Sequence, residues 1–117
     1  MASASNEGKR TRKLKALCVQ IQPTRSPDLD SAEIAATLRT LSNDSWVTEG
    51  DDDGPYINVC LNVANLDQLW LKIRELLRAN PALARCTIIT CQGKMGWDDY
   101  LLLHHYDRSL RLDEIPN

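Results

Sequence analysis

The chain has 117 residues, of which 43% are hydrophobic and 26% are charged, and its formal net charge at pH 7 is −2. This composition is typical of a globular protein and excludes a collagen-like fibre, a wholly disordered chain and a disulfide-rich scaffold. No apolar run reaches the roughly 18 residues that a membrane span requires, and no secretory signal is recognisable. We therefore expect one cytoplasmic domain that is not associated with a membrane, with its four cysteines reduced.

Basic residues are concentrated at the amino end. Residues 1–14 contain almost nothing apolar, and with the next residue they supply five basic side chains: Lys9, Arg10, Arg12, Lys13 and Lys15. Such a segment buries too little surface to offset the entropy lost on ordering, so we predict a disordered basic tail over 1–14. The chain from Ala16 onward has nine basic and fifteen acidic residues, and therefore a net charge of −6.

The first half of the predicted domain begins with a strand and a helix. Leu17, Val19 and Ile21 alternate with other residues at the period of two that is typical of a half-buried strand. Asp30 then fits the N-cap of a helix, because a glutamate follows it three residues later, and Ser26 before Pro27 is an alternative start. Ile34, Leu38 and Leu41 recur at spacings of four and three, which predicts one buried helical stripe.

A hairpin and a second helix follow. Residues 45–49 and 56–63 are predicted strands, and the Gly-containing turn between them predicts a hairpin. The second helix is predicted over 66–78, with Asn65 or Asp67 as its cap and a wide apolar face.

The last predicted elements are two strands. Residues 86–92 are rich in β-branched side chains and are predicted to form a strand, and residues 100–106 are predicted to form a fifth strand beside it at the edge of the sheet. A glycine-containing loop over 92–99 separates the two strands, and a polar tail over 107–117 follows them. We therefore predict a single α+β domain over 15–106.

The order strand, helix, strand, strand, helix, strand resembles the ferredoxin-like α/β plait, by order of elements only. The resemblance implies an antiparallel sheet with both helices on one face, here with an additional C-terminal strand. The other face of the sheet would then be rich in amides and thiols, comprising Cys18, Gln20, Gln22, Asn58, Cys60 and Asn62.

The sequence lacks the residue signatures of three functional classes that are known to have this fold. RNA-binding domains stack bases on aromatics of the central strands, but this chain has no phenylalanine and only Tyr56 is aromatic there. Heavy-metal carriers need a C-x-x-C motif, and acylphosphatase-like enzymes need a glycine-rich loop after the first strand, where Pro23 and Pro27 stand instead. Amino-acid-sensing regulatory domains have a looser signature and stay an open alternative.

Two acidic groups are candidate partner-binding sites. Trp97, Asp98 and Asp99 lie in the 92–99 loop, where an aromatic beside acids is typical of interaction sites, although Trp97 is equally suited to plug the core. The triplet Asp51, Asp52 and Asp53 occupies the hairpin turn, where a solvated tip is the simpler interpretation than a cation site.

Residues suited to catalysis or metal binding are sparse. No triad, P-loop or dinucleotide motif is present, so we favour a non-catalytic function without cofactor or metal. His104 and His105 should point to opposite faces of a strand and cannot share one metal ion. Cys18 and Cys60 should be neighbours if their strands pair in the expected register, and two reduced thiols are favoured over a disulfide.

Three functions remain as hypotheses. The first is a small interaction or regulatory module that binds a basic protein partner, or a second copy of the chain, through its acidic and aromatic loops or a sheet edge. The second is weak, salt-dependent association of the basic tail with nucleic acid. The third is a small-ligand sensor with a pocket between sheet and helices.

Overall fold

The computed structural model describes residues 15–51, 53–63, 65–91 and 100–115. Within these ranges an antiparallel sheet of five strands packs against two helices, which gives an α+β fold. The predicted tail over 1–14 and the loop over 92–99 lie outside the described residues. None of the helices in the described ranges combines the length and hydrophobicity that crossing a bilayer would require.

The elements follow the predicted order. The strands are β1 (Lys15–Ile21), β2 (Asp44–Asp51), β3 (Pro55–Val63), β4 (Thr87–Cys91) and β5 (Tyr100–His104), and the helices are α1 (Ser31–Arg39) and α2 (Leu66–Ala79). Across the sheet the strands lie in the order β2-β3-β1-β4-β5, and each neighbouring pair is antiparallel. The fifth strand pairs with β4 at the edge, as predicted.

Side-chain caps begin both helices. The carboxylate of Asp30 accepts a hydrogen bond from the backbone N–H of Glu33 at 3.1 Å, and the side-chain oxygen of Asn65 accepts one from Gln68 at 3.1 Å. These bonds satisfy backbone donors that the first turn of a helix leaves unpaired. Both predicted caps are confirmed, and Asn65 rather than Asp67 caps the second helix.

One apolar core lies between the sheet and the helices. Strand residues on alternate positions of β1, β3 and β4 pack in one cluster with residues of both helices: Leu17, Val19, Ile21, Val59, Leu61, Ile88, Ile34, Leu38, Leu66, Leu69 and Ile73. Ile57 and Leu41 are half-buried against the same cluster. The prediction that both helices cover the same side of the sheet is therefore confirmed.

Strand boundaries near the carboxyl end differ from the prediction. A short 3₁₀ helix spans Pro81–Arg85, so β4 begins only at Thr87. His104 pairs with Ile88, and almost nothing of β4 remains beyond that point to pair with. The fifth strand therefore ends at His104 instead of continuing to residue 106. The prediction that His104 and His105 alternate within one strand is wrong, because the strand ends between them.

Two leucines of α2 offer a matched test of this core. Leu69 is 3% exposed within the cluster, whereas Leu71 on the same helix is 51% exposed. We expect Leu69→Ala to lower the free energy of unfolding by about 3 kcal/mol, because it removes buried methyl groups and leaves a cavity. Leu71→Ala should change it by less than about 0.5 kcal/mol. Urea unfolding of both variants measures the difference, and equal effects would contradict the packing described here.

Candidate functional site

The acidic site residues predicted from sequence are only partly described. Asp51 ends β2, and Asp53 lies in the turn with a positive φ of 58°. Both side chains are exposed, and a carboxylate oxygen of Asp51 accepts a hydrogen bond from the N–H of Gly54 at 3.3 Å. Asp52, Trp97, Asp98 and Asp99 lie outside the described residues, as do the basic residues Lys9, Arg10, Arg12 and Lys13. Lys15 is the first residue of β1.

The face of the sheet opposite the helices carries one row of apolar and thiol side chains that crosses all five strands. By register, Trp46 on β2 is opposite Cys60, which is opposite Cys18, which is opposite Ile89, which is opposite Leu102 on β5. We call these five residues the central row. Cys18, Cys60 and Ile89 are buried in a small cluster with Leu102 packed on it, and Trp46 at the end of the row is 40% exposed.

Polar side chains border the central row on this face. Asn58 and Gln20 are opposite each other in the next row, as predicted for an amide-rich surface, whereas Gln22 lies beyond the end of β1. Asn58 is buried, and its side-chain oxygen accepts no hydrogen bond within the described residues. A buried polar atom with no partner among these residues has lost water without a compensating hydrogen bond from them, which is costly.

Tyr56 covers the glycine opposite it near the hairpin turn. Gly50 pairs with Tyr56, and a Cβ atom built on Gly50 would meet the hydroxyl and ring of that tyrosine. The ring can therefore lie against the backbone of β2 only because glycine has no side chain. This packing stabilises a strand position that glycine alone would weaken.

The three cysteines whose side chains are described lie in different electrostatic settings. The Cys18 thiol donates a hydrogen bond to the sulfur of Cys60 across 2.9 Å. This hydrogen bond lowers the pKa of Cys60, against the opposing effect of burial. Cys86 lies in the core on the helix side, where burial raises the pKa of its thiol to about 12.

The β2 edge of the sheet is open. The structure pairs β2 with β3 alone, so the backbone groups on its outer side have no strand partner within the described part of the chain. Six of its eight residues are exposed, including Trp46 and Val47, whose exposed fractions are 40% and 38%. Trp46 belongs to the face of the central row, and Val47 points to the helix side. An exposed, unpaired strand of this length is a template for pairing with another chain.

The β5 edge is closed by a residue of the C-terminal segment. A carboxylate oxygen of Asp113 accepts a hydrogen bond from the N–H of Leu102 at 2.8 Å, and the Asp113 N–H donates to the carbonyl of Leu102 at 2.7 Å. Ile115 packs against the core, whereas Leu110 and Leu112 are exposed. The polar segment after β5 therefore satisfies both backbone groups of Leu102 through Asp113, a role that its composition did not indicate.

The two histidines are held by backbone groups rather than by a shared ligand. The Nε2 atom of His104 lies 2.7 Å from the carbonyl oxygen of Ala84, and Nδ1 of His105 accepts a hydrogen bond from the N–H of Asp107 at 2.9 Å. A proton on His104 Nε2 is required for the first contact, since a carbonyl only accepts. Within the described residues, no three histidine, cysteine or acidic side chains form a group that could hold a metal ion.

No family model, no curated protein and no solved structure matches this chain. Functional interpretation therefore depends on the surfaces themselves. Among the described residues, the unpaired β2 edge combines backbone groups without a strand partner with two exposed apolar side chains, Trp46 and Val47. The sequence places Trp46 in a strand but does not distinguish it as a binding residue. In the structure it lies opposite Cys60, on the face that alternation along the strands assigns to both residues.

Asp113 offers a test of the closed β5 edge. We expect Asp113→Ala to speed hydrogen exchange at the Leu102 amide and to lower the free energy of unfolding by about 1 kcal/mol, because that amide loses its acceptor. Glu114→Ala removes the exposed acid next to it and should leave both quantities nearly unchanged. Unaltered exchange at Leu102 in Asp113→Ala would contradict the capping role.

Proposed function

We propose that the sheet and its helices form a ferredoxin-like plait extended by β5. The proposal is supported by the antiparallel arrangement of β2, β3, β1 and β4 and by the joint packing of α1 and α2 into one core. Addition of β5 beside β4 is what makes the order of the five strands differ from that of a four-stranded plait. Because this architecture hosts unrelated functions, the binding surface has to be argued from its own residues.

We propose that the protein is a non-catalytic interaction module, and that it binds an extended, basic segment of a protein partner as an additional strand on β2. The observation that carries the proposal is the exposed outer side of β2, in contrast to the capped side of β5. Strand addition derives affinity from main-chain hydrogen bonds and specificity from alternate side chains.

Charge favours a basic partner at this edge. Residues 40–71 contain no lysine or arginine, whereas the hairpin contributes five acidic residues: Asp44, Glu49, Asp51, Asp52 and Asp53. A basic side chain that does reach β2 is that of Arg39 on α1, whose guanidinium donates a hydrogen bond to the hydroxyl of Ser45 at 3.1 Å. A cationic strand would be attracted to the hairpin, and this attraction raises the association rate.

Two exposed apolar side chains lie where an added strand would place its own. Successive side chains of a strand point to opposite faces of the sheet, so a neighbour on β2 would lie beside Trp46 on one face and beside Val47 on the other. Tryptophan is among the residues that contribute most to binding energy at interfaces. These contacts would add apolar burial to the main-chain hydrogen bonds.

A second copy of the chain is a less suitable occupant of this edge. Pairing of two β2 strands would bring two hairpins together, each with five acidic residues and no basic one. Like charges that face each other across a strand pair are destabilising. A basic segment from another protein meets no such repulsion.

A direct test uses a fluorescently labelled peptide in which lysine alternates with valine, with binding measured by anisotropy at low and moderate salt. We expect Glu49→Lys to weaken binding about fivefold to tenfold, since an attraction at the edge becomes a repulsion. Glu75→Lys makes the same charge change on the exposed surface of α2, so it should alter binding by less than about twofold.

The same peptide, N-methylated at alternate residues along one edge, is the control for main-chain pairing. It keeps the charge and the side chains but lacks the N–H groups that strand addition needs, so we expect it to bind much more weakly. Equal binding of the two peptides, or equal loss in Glu49→Lys and Glu75→Lys, would contradict strand addition at β2. Sedimentation of the protein alone tests whether a second copy of the chain occupies the β2 edge. A dimer that becomes more stable in Glu49→Lys would contradict the choice of a basic partner.

A further inference from the structure

The two thiols of the central row are placed as a disulfide requires. Cys18 and Cys60 are directly opposite in the antiparallel pair of β1 and β3, and their sulfur atoms are 2.9 Å apart. Opposed residues in such a pair have Cα atoms roughly 4.5–5.5 Å apart. This separation lies within the roughly 4.4–6.8 Å that disulfides span, so a bond can form without displacement of the strands.

We propose that Cys18 and Cys60 form a redox-active dithiol, which low-molecular-weight disulfides oxidise to an intrachain disulfide. The proposal does not depend on what binds the β2 edge. Cys86 is the internal contrast, because it is equally buried but lies on the helix side of the sheet, in the core cluster. The pairing of the thiols, rather than burial or the presence of cysteine alone, therefore distinguishes this site.

The hydrogen bond between the thiols indicates which sulfur reacts first. Cys18 donates and Cys60 accepts, an arrangement that stabilises a thiolate on Cys60. The pKa of Cys60 is accordingly lowered, with this hydrogen bond as the largest cause, whereas burial raises the pKa of Cys86 to about 12. Cys60 is thus the expected nucleophile and Cys18 the resolving thiol.

The reaction balances with one equivalent of an external disulfide, RSSR. The Cys60 thiolate attacks one sulfur of RSSR, which breaks that S–S bond, forms a mixed disulfide with Cys60 and releases RS⁻. The Cys18 sulfur, once its proton has been lost to solvent, attacks the sulfur of Cys60 and expels the second RS⁻. Both leaving thiolates take up the two protons that the cysteines lose, so two protein thiols are oxidised and RSSR is reduced to two RSH.

The place of the pair in the fold limits access but does not prevent it. Both cysteines are about 4% exposed, so only a small part of each side chain is in contact with solvent. They lie on the face of the sheet opposite the helices, in a small cluster with Ile89 and Leu102. We therefore expect oxidation that is slower than at an exposed thiol and reversible by a dithiol reductant.

The test can use the unmodified chain, because trypsin cleavage after lysine and arginine places Cys18, Cys60 and Cys86 in three different peptides. After equilibration in buffers of oxidised and reduced glutathione and alkylation of remaining thiols, trypsin separates Cys18 into peptide 16–25, Cys60 into peptide 40–72, and Cys86 with Cys91 into peptide 86–94. Mass spectrometry should find peptide 16–25 linked to peptide 40–72, with both released by dithiothreitol. The oxidised protein should also melt about 10 °C higher, since the bond closes a loop over residues 18–60.

Two cysteine variants test whether the cross-link involves Cys60 and not Cys86. Cys60→Ser should abolish the cross-link and the rise in Tm, whereas Cys86→Ala should retain both. A link to peptide 86–94 in place of the proposed one, a glutathione adduct that never resolves to a cross-link, or thiols that stay reduced in the most oxidising buffer would each overturn the proposal.

Discussion

Alternation along β1 and β3 determines which surfaces the molecule presents. Leu17 and Val19 are fully buried against the helices, so the residues between and beside them necessarily point to the opposite face. A slip of one residue in the pairing of β1 with β3 would exchange the two sets and place Cys18 in the core and Leu17 on the face opposite the helices. The hydrophobic contact with α1 and α2 therefore fixes the register, and the register in turn brings Cys18 opposite Cys60.

The two edge strands, β2 and β5, differ in the partners of their outer backbone groups. An edge strand presents backbone donors and acceptors that need partners, from protein or from water. On β5 the backbone of Leu102 is bonded in both directions by Asp113, a residue eleven positions further along the chain. On β2 no other described strand pairs with the outer groups, and the apolar side chains of Trp46 and Val47 are exposed beside them. Burial of that surface is what an added strand would supply.

Local patterns predicted most of the fold because they act over a few residues. Period-two alternation located β1 and β3, and the short-range hydrogen bonds of Asp30 and Asn65 located the starts of both helices. The 3₁₀ helix over Pro81–Arg85 was missed because Asn80 and Pro81 indicate where a helix ends but not that a tighter turn follows.

Long-range contacts account for what the sequence did not indicate about the site. The capping by Asp113 joins two segments whose relative position depends on the whole fold, and the exposure of Trp46 depends on which strand ends up at the edge. The acidic loop around Trp97, chosen from composition, lies outside the described residues. The proximity of Cys18 and Cys60 could be predicted, because it requires only one assumption about the register between two strands whose apolar residues alternate clearly.

The thiol pair and the β2 edge are linked through β3 but differ in their chemistry. Trp46 is opposite Cys60, so the proposed disulfide would lie one strand away from the proposed binding edge. A bond between Cys18 and Cys60 would fix β3 against β1, whose pairing the core already determines. It would leave the outward backbone groups of β2 and the acidic residues Glu49 and Asp51 unchanged. Oxidation should therefore stabilise the platform on which β2 rests without replacing the groups that an added strand would contact, and the two properties can be altered independently by substitution.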